Sequence, residues 1–577
     1  MNVVTASAPA LGTATASDAL VQTLWNLGVR EAFGILGGAI APFCEAVNRS
    51  EINLLHFRHE GGAAFAAVEA SLATGRPTVV FLTSGPGMTN AITGMLAARW
   101  EGARVIFVSG ATGSAKRGRW AFQETSAYTT LPGIFAAGPV FHVASLIESD
   151  AELETIGARL ASGISRPGGF VAHLGLPIGV QTAPAPTPTS FDEEPRSVVR
   201  GRATCDTTAI AECAALLSSA PFVVWVGHGA RHASDSIRAL VQRTNARVIC
   251  SPRGKGIFPE DDPHFLGVTG LGGHEAVETY LRTARPERAL VLGTRLGEFT
   301  SFWEEHLVPS QGFVHVDVDR DVFGAAYPSA RTVGVESDIG AFLDGLLRAW
   351  PANATPMRPP IAAVADRDLP VLREARSLVR PRVLMAAIQR VVVDGSDAIV
   401  MSEAGNSFVL ATHHLRFQTP GRYRVSTGFG SMGHAVAGVI GAAHARMGKA
   451  VAIAGDGAML MNHEVSTAVG YGTDAVWIVL NDARYGMIDA GMRSLGWTPF
   501  GTEIPRVDFV AMARAVGADG VRVEHELQLE AALERAMAAR GPFVVDVWTD
   551  PNEAQPMNRR NSSLRRQVSA ANDPRTP

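Results

Sequence analysis

Short apolar runs alternate with longer helical patterns along most of the chain. Residues 63–73 predict a helix, and the runs themselves predict strands. The runs do not alternate between apolar and polar positions, which is typical of strands buried on both faces of a parallel sheet. The fold class expected is therefore α/β. The predicted strands lie at 78–83, 104–109, 222–226, 246–250, 289–292, 313–318, 398–401, 450–454, 475–480 and 543–547.

Two segments rich in proline divide these patterns into three pieces of ordinary domain size. We expect three doubly wound parallel-sheet domains at 14–181, 205–350 and 375–550. The linkers between them are predicted at 182–204 and 351–374. The first and third pieces show the same kind of pattern, which indicates one type of unit used twice. The segment 551–577 carries little apolar pattern and is expected to be a mobile or surface-draped tail.

Composition excludes several classes of protein. Lys and Arg number 51 against 55 Asp and Glu, so no strong positive field favours nucleic acid or an anionic membrane. No apolar run reaches the roughly 18 residues needed to span a bilayer. The 4 cysteines show no CxxC spacing, which argues against a disulfide scaffold and favours a reducing cytoplasm.

The strongest chemical signal lies at the ends of two predicted strands in the third domain. The strand at 450–454 leads into Gly455, Asp456 and Gly457, and the strand at 475–480 leads into Asn481 and Asp482. Ligands of open parallel sheets bind at the carboxyl ends of the strands, where these carboxylates would meet. Carboxylate oxygens suit Mg²⁺, and the glycines would let a diphosphate approach the backbone. A Gly-Asp-Gly triplet alone is equally consistent with a simple turn, but the second strand end favours the metal site.

The spacing from this triplet to Asn481-Asp482 resembles the thiamin-diphosphate motif of the superfamily that includes acetolactate synthase and pyruvate decarboxylase. Further segments are similar to motifs of that family, and the resemblance runs from about residue 16 to residue 550. The segment 122–125 (FQET) is similar to acetolactate synthases in particular. The other matching segments are 58–63 (RHEGGA), 83–87 (TSGPG) with Asn90, and 428–433 (GFGSMG). The resemblance implies a pyrimidine-binding, a central and a diphosphate-binding domain, in that order.

The resemblance also implies roles for individual residues. Glu60 would bond the N1′ atom of the cofactor's pyrimidine ring, Gln123 would hydrogen-bond the substrate carbonyl, and Met432 would hold the cofactor in its bent conformation. Without the other motifs, Glu60 would be an ordinary acidic residue at a helix start. The implied Mg²⁺ ligands are Asp456, Asp482 and the carbonyl of Arg484. The remaining implied cofactor contacts are Gly405, Asn406, Ser407, Gly430, Gly455, Gly457 and Ala458.

The chain departs from its relatives at several of these positions. The second metal ligand is usually Asn, so Asp482 adds a negative charge that is expected to favour the metal over the diphosphate. Phe299 replaces an arginine of the flavin-binding members, and 133–140 lacks their lysine, so FAD is expected to be absent or dispensable. Gly491 stands where acetolactate synthases carry the tryptophan of the acceptor pocket. We therefore expect a substrate pocket that includes Gly37, Gln123, Met487 and Gly491 and admits an acceptor bulkier than pyruvate.

These features predict a thiamin-diphosphate- and Mg²⁺-dependent carboligase that decarboxylates a 2-oxo acid and joins the acyl unit to a second carbonyl compound. One alternative is a 2-oxo acid decarboxylase or a C–C lyase of the benzaldehyde-lyase kind. A second alternative, a non-catalytic structural or regulatory paralogue, predicts the loss of Glu60 or a metal carboxylate, and both are present. The family implies a homodimer or homotetramer with active sites between chains, small-molecule partners, and neither nucleic acid nor membrane.

Overall fold

The computed structural model describes residues 14–125, 132–185, 203–357, 370–372 and 377–571. The chain folds as two units, one within 1–200 and the other within 201–577. The first unit contains one six-stranded sheet and the second contains two, and the paired strands of all three run parallel. The expected α/β fold with three parallel sheets is confirmed. Most of both predicted linkers lies outside the described residues.

The first sheet is covered by helices that bury its central strands on both faces. Strand 78–82 is buried at every position, which confirms the reason given for its unbroken apolar run. Across the sheet the strands lie in the order Asn53–His56, Glu31–Gly34, Thr78–Leu82, Arg104–Ala111, Phe170–Pro177 and Val143–Leu146. The helices are Ala16–Asn26, Ala41–Asn48, Glu60–Thr74, Pro86–Glu101, Leu153–Ile164 and Ile178–Gln181, with 3-10 turns at Ser114–Lys116, Pro132–Phe135 and Asp150–Glu152.

The second sheet belongs to the central part of the chain and reverses its strand order between Phe222–Val226 and Arg288–Leu292. Its strands lie in the order Thr332–Glu336, Phe313–Asp317, Arg288–Leu292, Phe222–Val226, Arg247–Cys250 and Phe265–Val268. Its helices are Thr207–Ser218, Ser234–Thr244, Glu275–Ala284, Glu298–Ser301 and Ile339–Ala349, with 3-10 turns at His228–Ala230, Pro252–Gly254, Glu305–Leu307 and Arg320–Val322.

The third sheet repeats the topology of the first, as the sequence predicts. Its strands lie in the order Tyr423–Val425, Ile399–Ser402, Ala450–Gly455, Ala475–Asn481, Phe543–Trp548 and Asp519–Val523. The central strands Ala450–Gly455 and Ala475–Asn481 are paired in parallel register, with Gly455 opposite Leu480. Its helices are Pro381–Ile388 with its π-helical extension Gln389–Asp394, Asn406–His414, His434–Arg446, Asp456–Met459, Val465–Tyr471, Gly486–Ser494, Phe509–Ala515, Leu529–Ala538 and Asn558–Ala571, and a 3-10 turn spans Glu526–Gln528.

The last of these helices lies in the segment that the sequence predicts as a mobile or surface-draped tail. Asn558–Ala571 packs on the helix Gly486–Ser494, and its arginines also reach the central part of the chain. Arg559 forms an ion pair with Glu278 at 2.9 Å, and Arg566 forms one with Glu304 at 3.2 Å. Polar contacts attach this helix to the rest of the second unit, although the helix carries few apolar residues. In the described part of the chain, no helix combines the length and apolar character needed to cross a membrane.

Candidate active site

The two predicted metal carboxylates meet at the carboxyl edge of the third sheet. Asp456 is 2% exposed and braces both loops there. Its Oδ1 accepts from the Gly457 amide and its Oδ2 accepts from the Ala483 amide, each at 2.7 Å. Burial raises the pKa of Asp456, and burial with the neighbouring Asp456 charge raises the pKa of Asp482 to about 7. A divalent cation bound between the buried Asp456 and the half-buried Asp482 would stabilise both carboxylates in their charged form.

Glycines hold the neighbouring loops close to these carboxylates. Gly405 adopts φ +116°, a conformation that side chains rarely allow, just before the helix Asn406–His414. A Cβ atom at Gly486 would lie 2.6 Å from Nδ2 of Asn406 and 3.0 Å from Oδ2 of Asp482. Gly486 therefore lies close to both of these side chains. A Cβ at Gly457 would lie 2.5 Å from the Tyr485 ring, so this close approach requires glycine as well.

Glu403 organises the site but was not predicted from the sequence. Its carboxylate is buried, and its Oε1 accepts from the Ala404 amide at 3.0 Å. Its Oε2 accepts from the Ala435 and Val436 amides at 2.9 and 3.2 Å, at the start of the helix His434–Arg446. Glu403 thus ties the Gly405 loop to this helix start. Its position at the end of strand Ile399–Ser402 is the signal that sequence reasoning could have used.

A cavity of about 660 Å³ opens between these loops. It brings together most of the residues predicted in the third domain: Gly405, Asn406, Ser407, Met432, Gly455, Asp456, Gly457, Ala458, Asp482, Arg484 and Met487. The Met432 methyl group lies 3.5 Å from the position of a Cβ on Gly457. The paired carboxylates and the glycine loops fit a metal-bound diphosphate.

Two of the residues predicted in the third domain, Gly430 and Gly491, do not line the cavity. Gly430, at φ +62°, donates its amide to Oγ of Ser426 at 3.1 Å. Gly491 is buried against the tail helix, where its Cβ would lie 3.2 Å from Nη1 of Arg560 and 3.7 Å from Cδ1 of Leu564. Gly491 therefore lies against the tail helix and not in the cavity wall, contrary to the expectation that it enlarges the acceptor pocket.

The first unit gathers the other predicted residues at the carboxyl edge of its own sheet. Glu60 starts the helix Glu60–Thr74, and its Oε2 accepts from Nδ2 of Asn90 at 3.0 Å. Gly87 lies beside it, since a Cβ there would be 3.3 Å from Oε1 of Glu60 and 3.1 Å from Cγ2 of Thr83. Thr83 also packs against Gly37, where an added Cβ would lie 2.7 Å from the Thr83 Cβ. Glu60 and Gly37 therefore share one edge.

Gln123 adjoins the same edge in a left-handed conformation, with φ 58°. It lies against Gly85, where an added Cβ would be 2.7 Å from the Cβ of Gln123. The preceding Phe122 is 89% exposed, whereas Gln123 is half-buried. A left-handed backbone in a non-glycine residue is uncommon and concentrates at functional sites.

Comparisons with known proteins agree with this geometry. Three models of thiamine pyrophosphate enzymes match the chain: the N-terminal binding domain at residues 14–130, the central domain at 210–346 and the C-terminal binding domain at 403–547. A Mycobacterium tuberculosis protein described as an acetolactate synthase large subunit is 29% identical, over 94% of this chain and 99% of its own. A Pseudomonas aeruginosa protein described as a 2-ketoarginine decarboxylase is 28% identical, over 93% and 94%.

A solved structure shows the same fold. The X-ray structure of a protein from Mycobacterium smegmatis, described as a thiamin diphosphate-dependent enzyme, superimposes with a TM-score of 0.78. It covers 93% of this chain and 99% of its own at 22% sequence identity, which supports the fold alone. The three family models and the acetolactate synthase relatives agree with the paired carboxylates and the glycine loops. The chain therefore belongs to the thiamine pyrophosphate enzyme family and is acetolactate-synthase-like.

Proposed function

We propose that the protein is a thiamin-diphosphate- and Mg²⁺-dependent carboligase that decarboxylates a 2-oxo acid and joins the acyl unit to a second carbonyl compound. The observation that supports this most is the cavity in which Asp456 and Asp482 meet the Gly405 loop. The acetolactate synthase relatives support the reaction type. Loss of the acidic residues, which a non-catalytic paralogue predicts, has not occurred.

The third sheet would hold the cofactor through its diphosphate and the metal. Asp456, Asp482 and the carbonyl of Arg484 would bind Mg²⁺, while Asn406 and Ser407 would bind the diphosphate from the start of the helix Asn406–His414. When bound, the cofactor supplies a carbanion that attacks carbonyls and then acts as an electron sink. Met432, which lines the same cavity, would contact the bound cofactor and hold it in its bent conformation.

The first unit would supply the acid and the polar group that faces the substrate. Glu60, oriented by its bond from Asn90, would bond the pyrimidine ring, and Gln123 would donate to the substrate carbonyl. By resemblance, these residues act on the third sheet of a neighbouring protomer. We accordingly propose a homodimer or homotetramer. Light scattering that finds a fully active monomer would contradict this assembly.

FAD is proposed to be absent or dispensable. Phe299 packs edge to face on Phe408 at 5.9 Å between ring centres and lies 6.3 Å from Phe302. It also contacts the apolar core of the third sheet, so it is part of the packing and offers no charged group to a flavin. A yellow protein that loses activity when flavin is removed would overturn this proposal.

A second candidate is a 2-oxo acid decarboxylase that releases an aldehyde without ligation. It is favoured by the similarity to a protein described as a 2-ketoarginine decarboxylase. Mass spectrometry of products from pairs of 2-oxo acids and aldehydes separates the candidates, because only a carboligase forms a product that contains both.

Glu60→Gln tests the catalytic assignment. The variant should fold and bind cofactor yet lose hydrogen–deuterium exchange at the cofactor's C2 position, since an amide cannot share the proton that a carboxyl shares with the pyrimidine ring. Glu45→Gln, at an exposed acid of the same unit, is the matched control and should exchange normally. Normal exchange in Glu60→Gln would remove Glu60 from this role.

A further inference from the structure

A segment outside the cavity wall clamps the loop that would hold the metal. Residues 502–507 do not line the cavity, but they lie along the loop 482–485 and exchange backbone hydrogen bonds with it. The Tyr485 amide donates to a carbonyl of the segment at 2.7 Å, and the Ile504 amide donates to a carbonyl of the loop at 3.0 Å. The position of this metal loop therefore depends on the segment 502–507.

Arg506, near the end of this segment, reaches the start of the metal loop. Its Nη1 donates at 2.6 Å to the Asn481 carbonyl, which belongs to the peptide group that links Asn481 to Asp482. Asn481 is fully buried, and its Nδ2 donates to Oδ1 of Asp546 at 2.8 Å. The Arg506 guanidinium also lies over the Trp548 ring, 5.0 Å from its centre. These contacts hold a partly exposed cation beside the metal loop.

The proposed occupants leave this site with excess negative charge. A divalent cation balances Asp456 and Asp482 but not the diphosphate that it binds as well. Among the described residues two arginines line the cavity, and one of them, Arg493, is paired with an aspartate of its own helix at 2.7 Å. Burial raises the pKa of Asp456, and the positive charge of Arg506 is one of the influences that oppose this rise. Arg506 therefore acts electrostatically on the metal site from outside the cavity wall.

We propose that Arg506 is a positioning residue for the metal-bound diphosphate. Its bond to the Asn481 carbonyl holds the metal loop in place, and its charge offsets the negative charge that Asp482 contributes. The inference rests on the proposed function, because it concerns the site that would hold the cofactor. Loss of the Arg506 charge should therefore weaken diphosphate binding, and it should do so less when Asp482 is neutral. A clamp without an electrostatic role would give the same loss in both backgrounds.

The test is calorimetric titration of the full-length protein with thiamin diphosphate at saturating Mg²⁺. Arg506→Gln should bind about tenfold more weakly than wild type, the order expected for the loss of one hydrogen bond from a charged group. Arg506→Lys keeps the charge and should recover most of the affinity. In the Asp482→Asn background, Arg506→Gln should cost about threefold or less. Arg514→Gln is the matched control, because Arg514 is exposed, donates to the Gly520 carbonyl at 3.1 Å and does not line the cavity.

Unchanged affinity in Arg506→Gln would overturn the proposal, and so would an equal loss in both backgrounds or no recovery in Arg506→Lys. Inorganic pyrophosphate with Mg²⁺, titrated into the same variants, separates this inference from the proposed function. If only pyrophosphate binds and shows the same dependence on Asp482, the proposed function fails while the role of Arg506 is supported. If thiamin diphosphate binds without that dependence, the proposed function is unaffected and the role of Arg506 is refuted. If neither ligand binds, both fail.

Discussion

Gly491→Trp should detach the tail helix while leaving the rest of the protein folded. A Cβ at this position already lies 3.2 Å from Nη1 of Arg560, so even alanine requires the arginine to shift by a few tenths of an ångström. An indole would extend into the space that Arg560 now occupies, beside Leu564. Arg560 is a long, flexible side chain, so Gly491→Ala should be tolerated. With Arg560 in place, the tryptophan can be accommodated only if the helix Asn558–Ala571 moves away.

The magnitude follows from the contacts of the tail helix. It is held by hydrogen bonds from Arg559 to the His274 carbonyl at 3.0 Å and from Arg560 to the Met487 carbonyl at 3.3 Å. Two ion pairs, to Glu278 and Glu304, add to these. Hydrogen bonds contribute roughly 0.5–1.5 kcal/mol each and partly exposed ion pairs about 0–1. The attachment is thus on the order of 3 kcal/mol, and overpacking costs about 1–3 kcal/mol. The detached state should change from rare to well populated.

Limited proteolysis measures this opening, because the tail carries Arg559, Arg560, Arg565 and Arg566 as trypsin sites. Cleavage in Gly491→Trp should be about tenfold to a hundredfold faster than in wild type, since the rate follows the population of the open form. Adding Arg560→Gly should restore protection by making room for the indole, and Gly491→Ala should resemble wild type. Unchanged protection in Gly491→Trp, or no rescue by the second change, would refute the assignment of this space to Arg560.

Three further predictions concern titratable groups. Glu403→Gln replaces a carboxylate that accepts hydrogen bonds from three backbone amides. The free energy of unfolding in urea should therefore fall by about 2 kcal/mol, and diphosphate should stabilise the variant less than it stabilises wild type. An unchanged urea midpoint would contradict the role of Glu403. Asp482→Asn removes one of the two adjacent carboxylates, so calorimetry should show roughly tenfold weaker Mg²⁺ binding to the protein without cofactor, and equal binding would count against Asp482 as a ligand. His173, whose pKa burial lowers to about 4, stays neutral in the fold while the unfolded chain takes up a proton from about pH 6.5 downwards. Stability should therefore fall as the pH decreases from 6.5 to 4, and His173→Gln should reduce that slope in urea titrations at successive pH values, whereas an identical slope would exclude His173 as a contributor.

The sequence by itself determined the α/β class, the repeated topology of the first and third sheets, and the meeting of Asp456 with Asp482. The physical reason is that these features depend on local patterns. An unbroken apolar run indicates a buried strand, and adjacent parallel strands place their carboxyl ends at the same edge of the sheet. The residues that follow two such strands are therefore brought together whatever the loops do. In the third sheet, Gly455 pairs with Leu480, so Asp456 and Asp482 follow the ends of two adjacent strands.

Only the tertiary structure decided which groups fill the space around that edge. Gly491 suggested an open pocket because a missing side chain in sequence implies free volume, but Arg560 enters from a helix about 70 residues later in the chain. The polar tail carries no apolar periodicity that would have predicted its packing. Glu403 has a similar explanation, since its acceptor role depends on the amides of Ala435 and Val436. Long-range packing leaves no local pattern, so the occupied space at Gly491 could not be found without the fold.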